Sequence, residues 1–252
     1  MYAIQSEDLT IRSGNKTIFG RIHCPLAEGR HPLVILSHGY NGNHSDFEPE
    51  CRFFAENGLI AFSFDFCGGS VRSKSSGAST DMTLFTEKED LLSVIDALSA
   101  FENVDPDAVY LLGGSQGGLV TALAAEERAN LVKAMILYFP AFNIPDDWRP
   151  RFESVEQIPE TFSFWGLTLG RNFFASMRDF SSFDHVGSFK NPVLILQGDK
   201  DEIVRPSVAE KAASRYDQAK LVILPGEGHG FSPEGSRKAV QMALDWILTS
   251  KA

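Results

Sequence analysis

The chain has 252 residues, 43% hydrophobic and 22% charged, a length and balance that suit one α/β domain around a sizeable core. Its net charge of −10 argues against nucleic acid or an anionic membrane as partner, and no apolar stretch approaches the roughly 20 residues of a membrane helix. Cys24, Cys51 and Cys67 are odd in number and lack metal-type spacing, so they read as reduced thiols; with no basic or apolar leader at the N-terminus, a cytoplasmic location is expected.

In chain order, residues 9–12 and 17–23 flank Ser13-Gly14-Asn15-Lys16 and predict an opening β-hairpin. LVIL at 33–36 is a short buried strand running into Ser37-His38-Gly39-Tyr40-Asn41-Gly42. Residues 47–56 read as a helix ending near Asn57-Gly58, and LIAFSF at 59–64 as a strand followed by a Ser- and Gly-rich loop to Thr80. Residues 87–101 are amphipathic, with Leu91, Leu92, Ile95 and Leu98 on one face. Strands follow at 108–112 and 132–138, separated by a helix at 116–128. Further strands are expected at 192–197 and 221–224, with helices at 206–216 and 234–249. Alternating helices and continuous apolar strands predict a mostly parallel eight-stranded sheet covered on both faces.

Residues 141–184 break this rhythm. They hold 10 of the chain's 28 aromatic side chains in 44 residues, a density that suits a lid, a satellite core, or both.

Gly113-Gly114-Ser115-Gln116-Gly117 carries the chemistry. It joins an apolar strand to a helix, and a serine flanked by small residues at so sharp a turn presents its hydroxyl for attack. Such a serine could also merely cap the helix. A neutral hydroxyl needs a base near pH 7, and the base needs an orienting partner. Of the six histidines, His23 and His31 lie near the start of the sheet, His38 precedes a turn, and His44 and His185 lie in polar surroundings. His229 follows the last strand between two glycines, where strand ends of a parallel sheet converge. Three acids after the preceding strand compete for the third place: Asp199, Asp201 and Glu202.

The order Ser115, Asp201, His229 on an alternating β/α frame resembles the α/β-hydrolase superfamily over nearly the whole chain. Gly198, Asp201 and Val204 fit that superfamily's G-x-x-D-x-x-V acid motif, which implies Asp201 as the orienting acid. The resemblance also implies an oxyanion hole from the backbone N–H groups of Tyr40 and Gln116, and structural roles for His38 and Asp65.

HGYNGN at 38–43, GGSQGG at 113–118, Pro140-Ala141 before the aromatic insert and GEGHGF at 226–231 are similar to small bacterial cinnamoyl/feruloyl esterases. The likeness implies that an acid of the insert binds a phenolic hydroxyl. Asp146 and Asp147 fall near that place, Asp147 the better placed, with Trp148, Phe164 and Trp165 as further substrate contacts. The insert departs from that group in having no tyrosine. The expected reaction is acyl transfer to water from a small-molecule ester, with no metal and no cofactor. Nothing indicates an oligomer. Two alternatives stay open: a serine peptidase of the acylaminoacyl or dipeptidyl type, usually built with a large extra domain, and a non-catalytic ligand-binding protein on a hydrolase frame.

Overall fold

The computed structural model describes residues 1–250. β1 (Ile4–Ser13) and β2 (Lys16–Pro25) form the opening hairpin, paired along their full length. Its two-residue turn places Gly14 at φ 59°, where a side chain would be strained. The chain continues through β3 (His31–Ser37), α1 (Glu48–Glu56), β4 (Ile60–Phe64), α2 (Leu84–Ser99), β5 (Val104–Gly114), α3 (Gln116–Glu127) and β6 (Val132–Tyr138). The segment that follows carries α4 (Ile144–Trp148), β7 (Thr161–Phe164), β8 (Leu167–Gly170) and α5 (Arg171–Ala175). β9 (Val193–Gly198), α6 (Pro206–Ala213), β10 (Ala219–Leu224) and α7 (Pro233–Thr249) follow.

Eight strands form one sheet in the order β1-β2-β4-β3-β5-β6-β9-β10. β1–β2 and β2–β4 are antiparallel and the remaining pairs parallel. This is the α/β-hydrolase fold. Alternate residues of the central strands face opposite layers. Val34, Leu36, Tyr110, Leu112 and Ile136 pack with α1 and α7, whereas Leu33, Ile35, Leu111 and Leu137 pack with α2, α3 and α6. Both faces are covered, which is why these strands read as unbroken apolar runs.

α2 begins three residues earlier than its apolar periodicity suggests. The Thr83 hydroxyl accepts the Thr86 N–H while Thr86 Oγ1 accepts the Thr83 N–H, a reciprocal cap. α6 stops at Ala213, short of the expected Tyr216.

The insert has more order than its sequence suggests. β7 and β8 pair antiparallel around Trp165-Gly166, both at positive φ (41° and 80°). Trp148, Phe152, Phe162 and Phe174 meet edge to face beneath this hairpin, with centroids 4.9–6.3 Å apart. These rings join the main core on the α3 side of the sheet rather than forming a separate nucleus. No helix among the described residues is long and apolar enough to cross a membrane.

Candidate active site

Neither glycine flanking Ser115 has room for a side chain, because Gly113 is pressed against α3 and Gly117 against the end of β3. A Cβ at Gly113 would lie 2.3 Å from Thr121 Oγ1, and one at Gly117 2.2 Å from the His38 carbonyl oxygen. Ser115 itself takes φ 54°, ψ −121°, a strained conformation for a residue with a side chain. The surrounding backbone holds it there. The Ser115 N–H donates to Tyr138 O at the end of β6, and Ser115 O accepts from Gly118, Leu119 and Ala141. Its side chain caps nothing, so the simple helix-cap reading does not apply.

β9 and β10 end on the same rim. The His229 ring lies between the other two candidates, with Nε2 2.9 Å from Ser115 Oγ and Nδ1 2.9 Å from Asp201 Oδ2. A carboxylate only accepts, so Nδ1 carries the proton and Nε2 is free to accept from the serine. Asp201 is 4% exposed and fully committed. Its Oδ1 accepts the N–H groups of Ile203 and Val204 (3.0 and 2.8 Å), and its Oδ2 also accepts Gln197 Nε2 at 3.0 Å. The two competing acids point elsewhere. Asp199 accepts the Gly226 N–H at 2.6 Å, while Glu202 is exposed on a cavity rim.

The turn after β3 passes directly over the serine, since a Cβ at Gly39 would lie 3.1 Å from Ser115 Cβ. The N–H groups of Tyr40 and Gln116 have no hydrogen-bond partner among the described residues, and both residues line a cavity with Ser115. His38 is buried; its Nδ1–H donates to Gly39 O at 2.7 Å and its Nε2 accepts the Phe66 N–H. Burial holds its pKa below the ordinary imidazole value, which suits a neutral brace for the turn. Asp65 accepts the N–H groups of His44 and Lys74 and meets the His44 ring at 2.7 Å. His44 is therefore a buried clamp, not a residue in polar surroundings. His23 lies between Ser6 and Glu48, His31 bonds the Gly58 carbonyl, and His185 bonds Ser181 O.

A cavity of about 290 Å³ opens beside Ser115 under the insert. Asp147, Trp148, Phe164 and Trp165 all line it, as do Asn143, Ile144, Arg151 and Phe173, which sequence reasoning did not single out. The hairpin is tied to the turn below. Tyr40 Oη donates to Phe164 O at 2.8 Å, and Asn41 Nδ2 to Trp165 O at 3.1 Å. Trp165 stacks on Phe164 yet remains 61% exposed. Asp147 accepts from Asn143 Nδ2 at 2.6 Å, and Arg151 lies over the Trp148 ring at 4.3 Å. Gln197 was also missed. Its signal is a lone amide near the end of the apolar run PVLILQ, buried and turned onto Asp201.

Behind Gln116 lies a buried carboxyl. Gln116 Nε2 donates to Glu87 Oε2 at 2.8 Å, and Glu87 is 1% exposed. Burial pushes its pKa up to about 8 against the lowering effect of that hydrogen bond. An unfolded chain ionises the same group near its ordinary value of 4.5. The folded state must keep the proton longer, so stability is fully present below that value and is lost as pH rises toward about 8. Glu87→Gln removes this dependence. Between pH 5 and pH 8.5 the melting temperature of the variant is expected to gain about 10 °C on the parent. A difference that stays constant with pH would contradict this account of Glu87.

The chain matches the prolyl oligopeptidase family over residues 45–251. Est1E of Butyrivibrio proteoclasticus, solved with ferulic acid bound, superposes with a TM-score of 0.85 at 27% identity, covering 95% of this chain and 99% of that one. A Bacillus subtilis protein named as an uncharacterized peptidase, YtmA, is 21% identical over 77% of this chain and 74% of its own length. An uncharacterized 31.7 kDa Escherichia coli protein from a traX-finO intergenic region is 29% identical over 45% of this chain and 40% of itself. The chain thus spans less than half the length of that relative. With most of its length matched, and with the fold of its structural neighbours, the chain belongs to the prolyl oligopeptidase family, within the α/β-hydrolase superfamily.

Proposed function

We propose that this hydrolase is a serine carboxylesterase working through an acyl-enzyme. The supporting observation is the continuous relay Ser115 Oγ–His229–Asp201, closed by two hydrogen bonds of 2.9 Å. In this reading Ser115 attacks the ester carbonyl as His229 takes its proton. The N–H groups of Tyr40 and Gln116 stabilise the oxyanion of the tetrahedral intermediate. His229 then protonates the departing alcohol while Asp201 keeps the imidazole oriented, and water repeats the sequence on the acyl-enzyme.

The acyl group proposed is aromatic and hydroxycinnamoyl-like. The cavity under the insert offers aromatic walls for a planar ring, with the Asp147 carboxylate in the same lining to accept from a phenolic hydroxyl. Est1E, with ferulic acid bound, supports the same choice. Methyl ferulate is expected to give a kcat/KM at least about tenfold above methyl butyrate, because several rings gain contact. A preference for butyrate would leave a short-chain esterase.

The family match favours a second reading, peptide or amide cleavage. An aryl ester and an anilide of the same acid separate the two. The ester reading expects ester turnover at least about a thousandfold faster, since an amine leaves less readily and needs fuller protonation in the transition state. Equal rates would favour the peptidase.

A further inference from the structure

Ser115 faces two cavities. The second, about 310 Å³, shares only Tyr40, Ser115 and Trp165 with the first. Its walls differ in chemistry. His229 lines this cavity and not the other, whereas Gln116 lines only the first. A general acid must reach the oxygen it protonates, so the departing alcohol lies on the His229 side and the acyl group lies under the insert.

Phe139 and Phe231 supply apolar surface to the second cavity, their rings 4.7 Å apart edge to face. Two carboxyl groups and two phenols stand among them, Asp46, Glu50, Tyr40 and Tyr138, and no lysine or arginine does; the Tyr40 hydroxyl already donates to Phe164 O. Asp46 is already occupied. It accepts the Asn43 N–H at 3.0 Å and pairs with Arg72 at 3.3 Å. Glu50 is not. It is 8% exposed, and its Oε2 has no hydrogen-bond partner among the described residues; the buried Tyr138 hydroxyl has none either. Two unpaired polar groups in an aromatic wall are costly to a folded chain unless something polar visits them.

We propose that the second cavity is the leaving-group subsite and that Glu50, with Tyr138, selects an uncharged alcohol bearing a free hydroxyl. The proposal rests on the ester-hydrolysis reading above. A hydroxyl both donates and accepts, so it can pair with the Glu50 carboxyl whether that group carries its proton or not. An anionic alcohol meets no cation here. Burial holds the Glu50 carboxyl toward its neutral form, and Arg72 pairs the Asp46 charge. Both effects weaken the pull of this wall on a cationic alcohol.

Three esters of one aromatic acid test this: n-propyl, glyceryl and 2-aminoethyl. The glyceryl ester is expected to exceed the propyl ester in kcat/KM by about tenfold, and the aminoethyl ester to show no such gain. Glu50→Leu should bring the glyceryl-to-propyl ratio close to one, while Glu50→Gln, which keeps a donor and an acceptor, should retain most of it. Each ratio is measured on one preparation, so partial misfolding of a variant cancels. Equal rates for the glyceryl and propyl esters, or a ratio unchanged in Glu50→Leu, would overturn the subsite. A lead for the aminoethyl ester would overturn it in favour of a cation site. If no ester is turned over and Ser115 takes no acyl-type label, the esterase reading fails and the subsite with it.

Discussion

Replacing Ser115 with alanine is expected to lower kcat about a millionfold, some 8 kcal/mol of transition-state stabilisation, with the fold intact. Alanine keeps the Cβ that the backbone already accommodates at φ 54°, so the strain does not grow. What disappears is the oxygen 2.9 Å from His229 Nε2. Residual turnover would come from the Tyr40 and Gln116 N–H groups and from substrate binding alone. Steady-state kinetics on the purified variant, with circular dichroism to verify folding, checks this. A loss of only tenfold would mean that another group attacks the substrate.

Asp201→Asn should cost about ten thousandfold in kcat, about 5 kcal/mol, with little change in structure. The hydrogen bonds around the carboxylate dictate the outcome. Oδ1 accepts two backbone N–H groups, from Ile203 and Val204, and an asparagine can meet both only with its oxygen there. Its NH2 group must then occupy the Oδ2 position, facing His229 Nδ1. A donor at that point selects the tautomer with its proton on Nε2, which cannot accept from Ser115. Asp199→Asn is the matched control. That side chain serves the Gly226 N–H, and its replacement is expected to change kcat less than about fivefold. Equal losses at the two positions would contradict the assignment of the orienting acid.

The sheet was legible in the sequence because its central strands are buried on both faces. LVIL at 33–36 and PVLILQ at 192–197 read as strands wherever they sit. The serine elbow was legible because its requirement is local: two glycines where a strand and a helix meet. The choice of Asp201 over Asp199 needed the superfamily motif, since the two carboxylates stand only two residues apart and the sequence does not say which way each points. The structure separates them through their partners.

The insert hairpin was hidden for a different reason. β7 and β8 have four residues each, and their turn puts a tryptophan, not a glycine, at its first position of positive φ. Alternation in TFSF-WG-LTLG was the available signal. Glu50 left no trace at all. On an amphipathic helix that also carries Glu48 and Glu56, a glutamate reads as solvated. Its burial arises from its place at a cavity shared with Tyr138 and Phe139, nearly ninety residues away.

The most direct test is covalent. Intact protein treated with a fluorophosphonate, which mimics the tetrahedral intermediate, is predicted to gain one adduct, mapped by peptide mass to Ser115, with labelling slowed at least about a thousandfold in His229→Ala. Folded protein that takes no label, or takes it on another residue, would contradict the account.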